Sequence, residues 1–171
     1  EEKIQQPLTT QELNRILAQI DLSTVKGKRN LAIILLGSEL GLRASDIINL
    51  KLTDIDWARK ELHIQQQKTG YPVRLPLTEK TAAALRDYIL NGRRQTDCEF
   101  LFLKLRPPYE KIGDAVALGC MFRSYQKAAG IEHSAFDGKG FHSLRRRLGR
   151  ELVIDGVPLA TISQVLGHRD T

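Results

Sequence analysis

The segment of residues 29–40 constrains the fold of this chain most strongly, because it is apolar on nearly every side. From residue 31 it reads LAIILLGSEL. A helix that is hydrophobic around its whole circumference is typical of a buried position, where other elements cover every face. Gly41 follows at the point where a helix commonly ends in a left-handed residue, a conformation that glycine adopts without strain. We therefore predict a fold built around one buried helix.

Capping signals and helical spacing predict further helices on either side of this segment. Thr9 and Glu12 form a capping-box pattern that begins a helix ending near Asp21, and the polar residues 23–28 are predicted to form a loop. Thr78 and Gly92 bracket another helix. This helix covers residues 79–91. The other predicted helices are residues 44 or 45 to 50, 114–129, a helix through residues 142–150 that ends at Gly156, and 158–166, whose inward face would be Leu159, Ile162, Val165 and Leu166.

The hydrophobic period changes after residue 53, where apolar and polar residues alternate. The apolar positions flank the sequence Lys68-Thr69-Gly70 and are Leu62, Ile64, Val73, Leu75 and Leu77. This pattern predicts a β-hairpin or a small three-strand antiparallel sheet, with Lys68 near a turn. Residues 99–103 are predicted to be a short strand or extended segment. The expected fold class is α+β: one mostly helical domain over residues 1–171, with one small sheet.

The charge and cysteine content limit the classes of function. The 26 Lys and Arg residues exceed the 20 Asp and Glu residues and give a net charge of +6. This excess favours a polyanionic partner such as nucleic acid. Cys98 and Cys120 are the only cysteines and form no CxxC pair, so neither a zinc site nor a disulfide framework is indicated. No apolar run approaches the length of a membrane span.

The most basic stretch is residues 141–150, FHSLRRRLGR. Leu144, Leu148 and Leu152 recur every four residues, so one stripe of a helix can face a core. His142 and Arg145 are three residues apart and would project from adjacent turns of one face. Together an imidazole and a guanidinium offer several N–H donors to one small anion such as phosphate. The alternative is an ordinary solvated basic face.

Four separated motifs, taken in order, resemble the catalytic domain of the tyrosine recombinases, also called the phage integrase family. The resemblance spans nearly the whole chain. Its motifs are GLRASDI around Arg43, QQQKTGYPVRLPL around Lys68, HSLRR with His142 and Arg145, and ISQVLGH ending at His168. It implies the integrase catalytic-domain fold, a helical bundle with a small antiparallel sheet.

The resemblance also implies a site-specific DNA recombinase that uses neither a metal ion nor a nucleotide cofactor. In this chemistry a tyrosine attacks the scissile phosphodiester, forms a 3′-phosphotyrosyl link and releases a 5′-hydroxyl. Arg43 and Arg145 would clamp the non-bridging oxygens, where negative charge gathers in the transition state. His142 and His168 would add donors or handle protons, and Lys68 would protonate the leaving oxygen as a general acid.

Each assignment has a simpler alternative. Asp46 fits an acidic family position that could orient a catalytic side chain, but it could equally be a helix N-terminal acid stabilised by the helix dipole. Arg43 could cap the carbonyls of a helix end, Lys68 could be a solvated turn residue, and His168 could interact with the dipole at a helix C-terminus. The other arginines of the basic stretch, Arg146, Arg147 and Arg150, are assigned to DNA backbone contact or to solvation.

The chain departs from the family pattern in two places. Where the family commonly has a second histidine after its HxLR sequence, this chain has Arg146. The nucleophilic tyrosine is expected shortly after the LGH motif, but the chain ends three residues after His168, and its tyrosines Tyr71, Tyr88, Tyr109 and Tyr125 all precede that motif. We therefore expect a truncated catalytic domain that does not cleave DNA by itself.

The resemblance implies double-stranded DNA as the partner, with no membrane association. The intact parent protein is expected to carry an N-terminal core-binding domain and to act as a homo-tetramer, whereas the fragment would be monomeric or weakly associated. A cytoplasmic, nucleoid-associated location in a bacterial or phage setting is expected. The alternatives are a non-catalytic DNA-binding regulatory module of the same fold and a DNA-relaxing enzyme similar to a type I topoisomerase.

Overall fold

The computed structural model describes residues 7–132 and 137–166 and confirms a mostly helical α+β domain. The described residues form seven α-helices, one short 3₁₀ helix at Leu52–Asp54, and three strands. These elements are α1 (Thr10–Ala18), α2 (Val25–Leu40), α3 (Ala44–Ile48), β1 (Ile55–Asp56), β2 (Glu61–Gln65), β3 (Pro72–Pro76), α4 (Glu79–Asn91), α5 (Ala115–Ala128), α6 (Ser143–Ile154) and α7 (Leu159–Leu166).

Helix α2 is the buried centre of the fold, as its sequence predicts. Ile33, Ile34 and Leu36 are fully buried, and α4 and α6 pack against the helix. The helix ends at Gly41, which has a φ of 69° and donates its N–H to the carbonyl of Gly37. The C-terminus of α2 therefore turns sharply into the segment that carries Arg43.

Helix α2 begins earlier in the chain than residue 29, where it was predicted to begin. The helix begins at Val25, inside residues 23–28 that were predicted to be a loop, because the Thr24 hydroxyl accepts a hydrogen bond from the N–H of Gly27 at 2.9 Å. This N-cap stabilises a first turn that carries few apolar residues. Helix α1 has the predicted capping box at Thr9 but ends at Ala18, earlier than the predicted end near Asp21.

The sheet is antiparallel with the strand order β1-β2-β3. Leu62 pairs with Leu75, and both side chains are buried in the core. Gln65 pairs with Pro72, so residues 66–71 form the turn that carries Lys68. Residues 99–103 form no regular strand but make two isolated bridges, from Phe100 to Lys51 and from Leu103 to Lys111, with a bend at Leu101 and Phe102 between them. The sheet thus holds the Lys68 turn at its outer end.

Helix α7 follows α6 and meets the core only through part of its predicted inward face. Ile162 and Leu166 are buried, whereas Leu159 is 70 % exposed, so its prediction as an inward residue was wrong. Only the last turn of α7 comes close to the end of α2, where a Cβ on Gly41 would lie 2.7 Å from Cδ2 of Leu166. Leu159 lies in the first turn, too far along α7 to share that contact. The Val165 side chain lies outside the described part of the chain.

None of the helices in the described part of the chain combines the length and apolar character that a membrane crossing requires.

Candidate active site

Arg145 lies at the centre of the candidate site and is only 4 % exposed. Helix α6 packs its fully buried Leu144 towards α2, and this places the next residue beside the end of that helix. Nη1 of Arg145 donates to the carbonyl of Gly41 at 2.6 Å, and Nη2 donates to the carbonyl of Leu166. Because a guanidinium carries five N–H donors in a rigid plane, these two bonds fix its orientation and leave others for a ligand.

Arg43 follows the αL turn at Gly41 by two residues and interacts electrostatically with Arg145. It is the N-cap residue of α3, and its Nη1 is buried without a hydrogen-bond partner among the described residues. Burial, followed by the positive charge of Arg43, lowers the pKa of Arg145 to about 10, while Asp46 opposes this shift. Two guanidinium groups next to a single carboxylate leave an excess of positive charge, which suits an anionic ligand.

Asp46 connects the arginines to the sheet. It lies in the first turn of α3 and is 4 % exposed. Its Oδ1 accepts a hydrogen bond from the backbone N–H of Gln67 at 2.8 Å, and its Oδ2 is buried without a partner in the described part of the chain. Asp46 is therefore a helix N-terminal acid, as one alternative held, and it also anchors the residue directly before Lys68.

Lys68 lies in the turn between β2 and β3, with its side chain exposed. Two backbone bonds close this turn, from Gln66 N–H to Tyr71 at 2.8 Å and from Gly70 N–H to Gln66 at 2.8 Å. Gly70 adopts a φ of 70°, which glycine allows at little cost. The structure thus presents the Lys68 ammonium from a closed turn on a flexible four-carbon stem.

His142 precedes α6 as its N-cap residue and does not lie within the helix, as the spacing had suggested. His142 is exposed at the surface, although neighbouring groups shield part of its imidazole from water. Partial burial lowers its pKa below the usual 6.5, and four neighbouring positive charges lower it further, in the order Arg145, Arg146, Arg43 and Lys68. The imidazole is therefore neutral near pH 7, with one nitrogen able to donate a hydrogen bond and the other able to accept one.

The structure brings together four of the five side chains predicted to be catalytic. Electrostatic interactions link His142 with Arg43, Lys68 and Arg145. The fifth, His168, lies outside the described residues. The described residues contain no group of three or more His, Cys, Asp or Glu side chains arranged to hold a metal ion.

The three other arginines of α6 have different surroundings. Arg146 donates from Nη2 to the carbonyl of Gly138 at 2.5 Å. Arg147 donates to the Thr10 hydroxyl at 2.9 Å and pairs with Glu151 at 2.7 Å, so it joins α6 to the start of α1. Arg150 is exposed. DNA contact by these three arginines stays a prediction. Arg150 is the most accessible of them, because it alone is exposed.

Sequence reasoning missed Gln66, which is 2 % exposed in a turn whose other residues are exposed or half-buried. Its side chain accepts from the Thr69 hydroxyl at 3.0 Å and donates to the carbonyl of Leu166 at 3.3 Å. A signal was present in the sequence. Because side chains alternate between the faces of a strand, Gln66 continues the inward series of Leu62 and Ile64.

Comparisons with known proteins identify the family. A sequence profile described as the phage integrase family matches residues 6–171. The putative integrase/recombinase y4gC of Sinorhizobium fredii is 35 % identical over 146 residues, which cover 85 % of this chain and 73 % of that protein. The putative integrase/recombinase y4rF of the same organism is 32 % identical over 158 residues, covering 92 % of this chain but 37 % of that protein. The chain thus spans little more than a third of some curated relatives.

Solved structures share the fold. The crystal structure of XerA recombinase superposes with a TM-score of 0.80 at 22 % identity, covering 99 % of this chain and 57 % of that one. The lambda integrase catalytic core gives a TM-score of 0.71 at 24 % identity and covers 96 % of this chain and 93 % of its own. Lambda integrase bound to DNA gives a TM-score of 0.73 at 22 % identity, covering 100 % of this chain and 59 % of that one. This chain belongs to the phage integrase family and has the fold of its catalytic cores.

Proposed function

We propose that the intact protein containing this chain is a site-specific DNA recombinase that breaks and rejoins DNA through a 3′-phosphotyrosyl intermediate. Family membership supports the reaction class, and structures of relatives bound to DNA support double-stranded DNA as the substrate. The proposed setting is the bacterial or phage cytoplasm, where such DNA is found. The active assembly is proposed to be a homo-tetramer on two DNA sites.

In the proposed cleavage step, a tyrosine oxygen forms a bond to phosphorus while the bond from phosphorus to the 5′-oxygen breaks. Lys68 supplies the proton that the leaving 5′-oxygen needs. The neutral imidazole of His142 is the candidate acceptor for the tyrosine proton. Arg43 and Arg145 donate hydrogen bonds to the non-bridging oxygens, whose charge grows in the transition state. The 5′-hydroxyl of a partner strand later reverses the step and reseals the DNA.

The observation that carries this proposal is the pairing of two guanidinium groups around the αL turn at Gly41. Arg145 is buried and held by two backbone carbonyls, and Arg43 has a buried nitrogen without a partner among the described residues. Burying like charges together is unfavourable unless an anion compensates them. A phosphodiester oxygen pair would supply this compensation and match the planar donors.

The nucleophile is proposed to follow Thr171 in the intact protein, because all four tyrosines of this chain precede the LGH motif that the family tyrosine follows. His168, in that motif, is proposed as a further donor to the phosphate. On this proposal residues 1–171 form a catalytic domain that lacks its nucleophile and does not cleave DNA by itself.

The test uses the full-length protein with its downstream tyrosine and a nicked suicide substrate that carries its recombination site. We expect a covalent protein–DNA adduct on a denaturing gel. The adduct should be abolished by the tyrosine-to-phenylalanine change and reduced by roughly 10²- to 10³-fold in Arg145→Ala, as when one transition-state donor is lost. Arg86→Ala on the exposed face of α4 is the matched control and should leave the adduct unchanged.

Salt-sensitive binding without any adduct would contradict the proposal and favour a non-catalytic regulatory module, an alternative that the recombinase names of the relatives do not favour. Adduct formation with relaxation of supercoils, but without strand exchange between two sites, would instead indicate a topoisomerase-like enzyme.

A further inference from the structure

The turn that carries Lys68 contains one side chain buried almost completely, that of Gln66. The neighbouring residues Gln65, Gln67 and Lys68 are exposed, whereas Gln66 is 2 % exposed. A buried amide must satisfy its donor and acceptor groups within the protein. Gln66 does so in two directions, by accepting from Thr69 at 3.0 Å and donating to Leu166 at 3.3 Å.

The carbonyl of Leu166 is a meeting point of three elements. It ends helix α7, it accepts from Nε2 of Gln66 in the turn, and it accepts from Nη2 of Arg145 on α6. A carbonyl oxygen has two lone pairs, so both acceptor positions are used. The turn and Arg145 are therefore fixed relative to one another, because both bind the carbonyl oxygen of Leu166.

These bonds fix the chain on both sides of Lys68 without touching its ammonium. Before it, the N–H of Gln67 is bonded to Asp46 at 2.8 Å. After it, Thr69 is bonded to the Gln66 amide. Asp46 interacts with Arg145, and the Leu166 carbonyl accepts a hydrogen bond from it. The backbone at Lys68 therefore has a fixed position relative to Arg145, while its long side chain can still reach the substrate.

We propose that Gln66 is a positioning residue for Lys68. Its hydrogen bond to the carbonyl of Leu166 holds the turn that carries Lys68 in a fixed position relative to Arg145. This inference rests on the function proposed above. Without the Gln66 bonds the turn would move relative to the clamp, so proton transfer to the leaving oxygen would slow, while stabilisation of the phosphate charge by Arg43 and Arg145 would persist.

A substrate whose leaving oxygen is replaced by sulfur separates these two effects. A thiolate leaves without protonation because thiols are far more acidic than alcohols, so a 5′-bridging phosphorothiolate does not need the general acid. The full-length protein is tested on suicide substrates with oxygen or sulfur at the scissile position. The variants are Gln66→Met, which removes both side-chain bonds, and Gln66→Asn, which keeps an amide that is too short to reach Leu166.

On the oxygen substrate we expect both Gln66 variants to cleave about 10-fold or more slowly, within the roughly 10²- to 10⁴-fold that a general acid contributes. On the sulfur substrate both should recover nearly the rate of the unsubstituted protein, as Lys68→Ala should. Arg145→Ala should stay slow on both substrates. Gln164→Met, an exposed glutamine on α7, is the matched control and should cleave both substrates normally.

Equal slowing of Gln66→Asn on both substrates would overturn the positioning role, because it would indicate general damage to the site. An unchanged rate on the oxygen substrate would overturn it as well. If the unsubstituted protein forms no adduct with either substrate, the proposed function itself fails. If that protein cleaves and only the Gln66 result is negative, the function stands and the positioning role does not.

Discussion

At the scale of single residues, the candidate site combines burial with positive charge, and the pKa of His142 responds to both. Partial burial favours the neutral imidazole, and the four surrounding cations lower the pKa of His142 in the same direction. Arg145, nearly completely buried, shows the same two influences in a group that stays protonated with a pKa of about 10. The site thus keeps the Arg145 guanidinium charged and the His142 imidazole neutral at the same pH.

The first prediction concerns the titration of His142. Its ring should titrate below pH 6.5 in the folded protein, and the midpoint should rise in Arg146→Met, because one of the charges that disfavour protonation is removed. An NMR pH titration of the histidine ring resonances, assigned with His142→Gln, measures this directly. The matched control is Arg150→Met on the same helix, since Arg150 does not contribute to the shift.

The same shift determines how the stability depends on pH. Because the folded pKa lies below the unfolded one, the unfolded state takes up the proton first as the pH falls. The free energy of unfolding should therefore fall as the pH drops through about 6.5 and level off below the folded pKa. His142→Gln should lack this component of the slope. A midpoint at or above 6.5 would contradict the prediction.

At the scale of elements, the αL turn at Gly41 connects the central helix with both arginines. Its φ is 69°, its carbonyl accepts from Arg145, and a Cβ there would lie 2.7 Å from Leu166 and 3.0 Å from Leu148. The backbone conformation favours glycine, and a Cβ at this position would also require the ends of the Leu148 and Leu166 side chains to shift. The turn therefore depends on tertiary packing as well as on local conformation.

The second prediction separates these two requirements. Gly156 has a φ of 77° and open space where a Cβ would lie, so Gly156→Ala should cost only the left-handed penalty of about 1–2 kcal/mol. Gly41→Ala should cost a further 1–3 kcal/mol or so, because Leu148 and Leu166 must shift. Urea denaturation of both variants measures the difference. Equal losses of stability would show that the packing around Gly41 relaxes freely.

The elements also show which parts of the fold the sequence can predict. The bounds of α4 follow from Thr78 and Gly92, because a cap and a terminator act on neighbouring backbone groups. The early start of α2 and the exposure of Leu159 were missed, since the first depends on one threonine cap and the second on where α7 meets the core. The Thr24 cap is a local signal that was present in the sequence and overlooked, whereas the place where α7 meets the core depends on tertiary packing that no local pattern reports.

The candidate site follows the same division. Spacing and motif order suggested Arg43, Lys68, His142 and Arg145, because family motifs are contiguous in sequence. The bond from Asp46 to the N–H of Gln67 joins residues 21 positions apart, and the bond from Gln66 to Leu166 spans 100 positions. No pattern in the sequence reports contacts at such separations. The side chains that we propose to act in catalysis could therefore be named from the sequence, whereas the bonds that hold them in place could not.

At the scale of the whole molecule, the candidate site lies at one end of the central helix. Arg145 binds Gly41 just beyond the C-terminus of α2, while Lys26 lies in its first turn. The 16 residues of α2 span about 24 Å at roughly 1.5 Å per residue. This length exceeds the Debye length of about 8 Å at physiological salt, so charges at the two ends act on a ligand independently.

The last prediction uses this separation to locate the DNA. The net charge of +6 favours DNA binding in general. Counterions leave the DNA, however, only where a Lys or Arg side chain neutralises a phosphate. Lys68→Met should therefore reduce the slope of log K against log salt concentration by about 1. Lys26→Met removes the same charge from another exposed lysine, at the far end of α2, and should leave the slope unchanged. Fluorescence anisotropy with labelled duplex DNA over a salt series measures both slopes. Equal reductions in the two variants would mean that the overall charge of the molecule determines DNA binding. The DNA phosphates would then not be bound specifically at the site around Gly41.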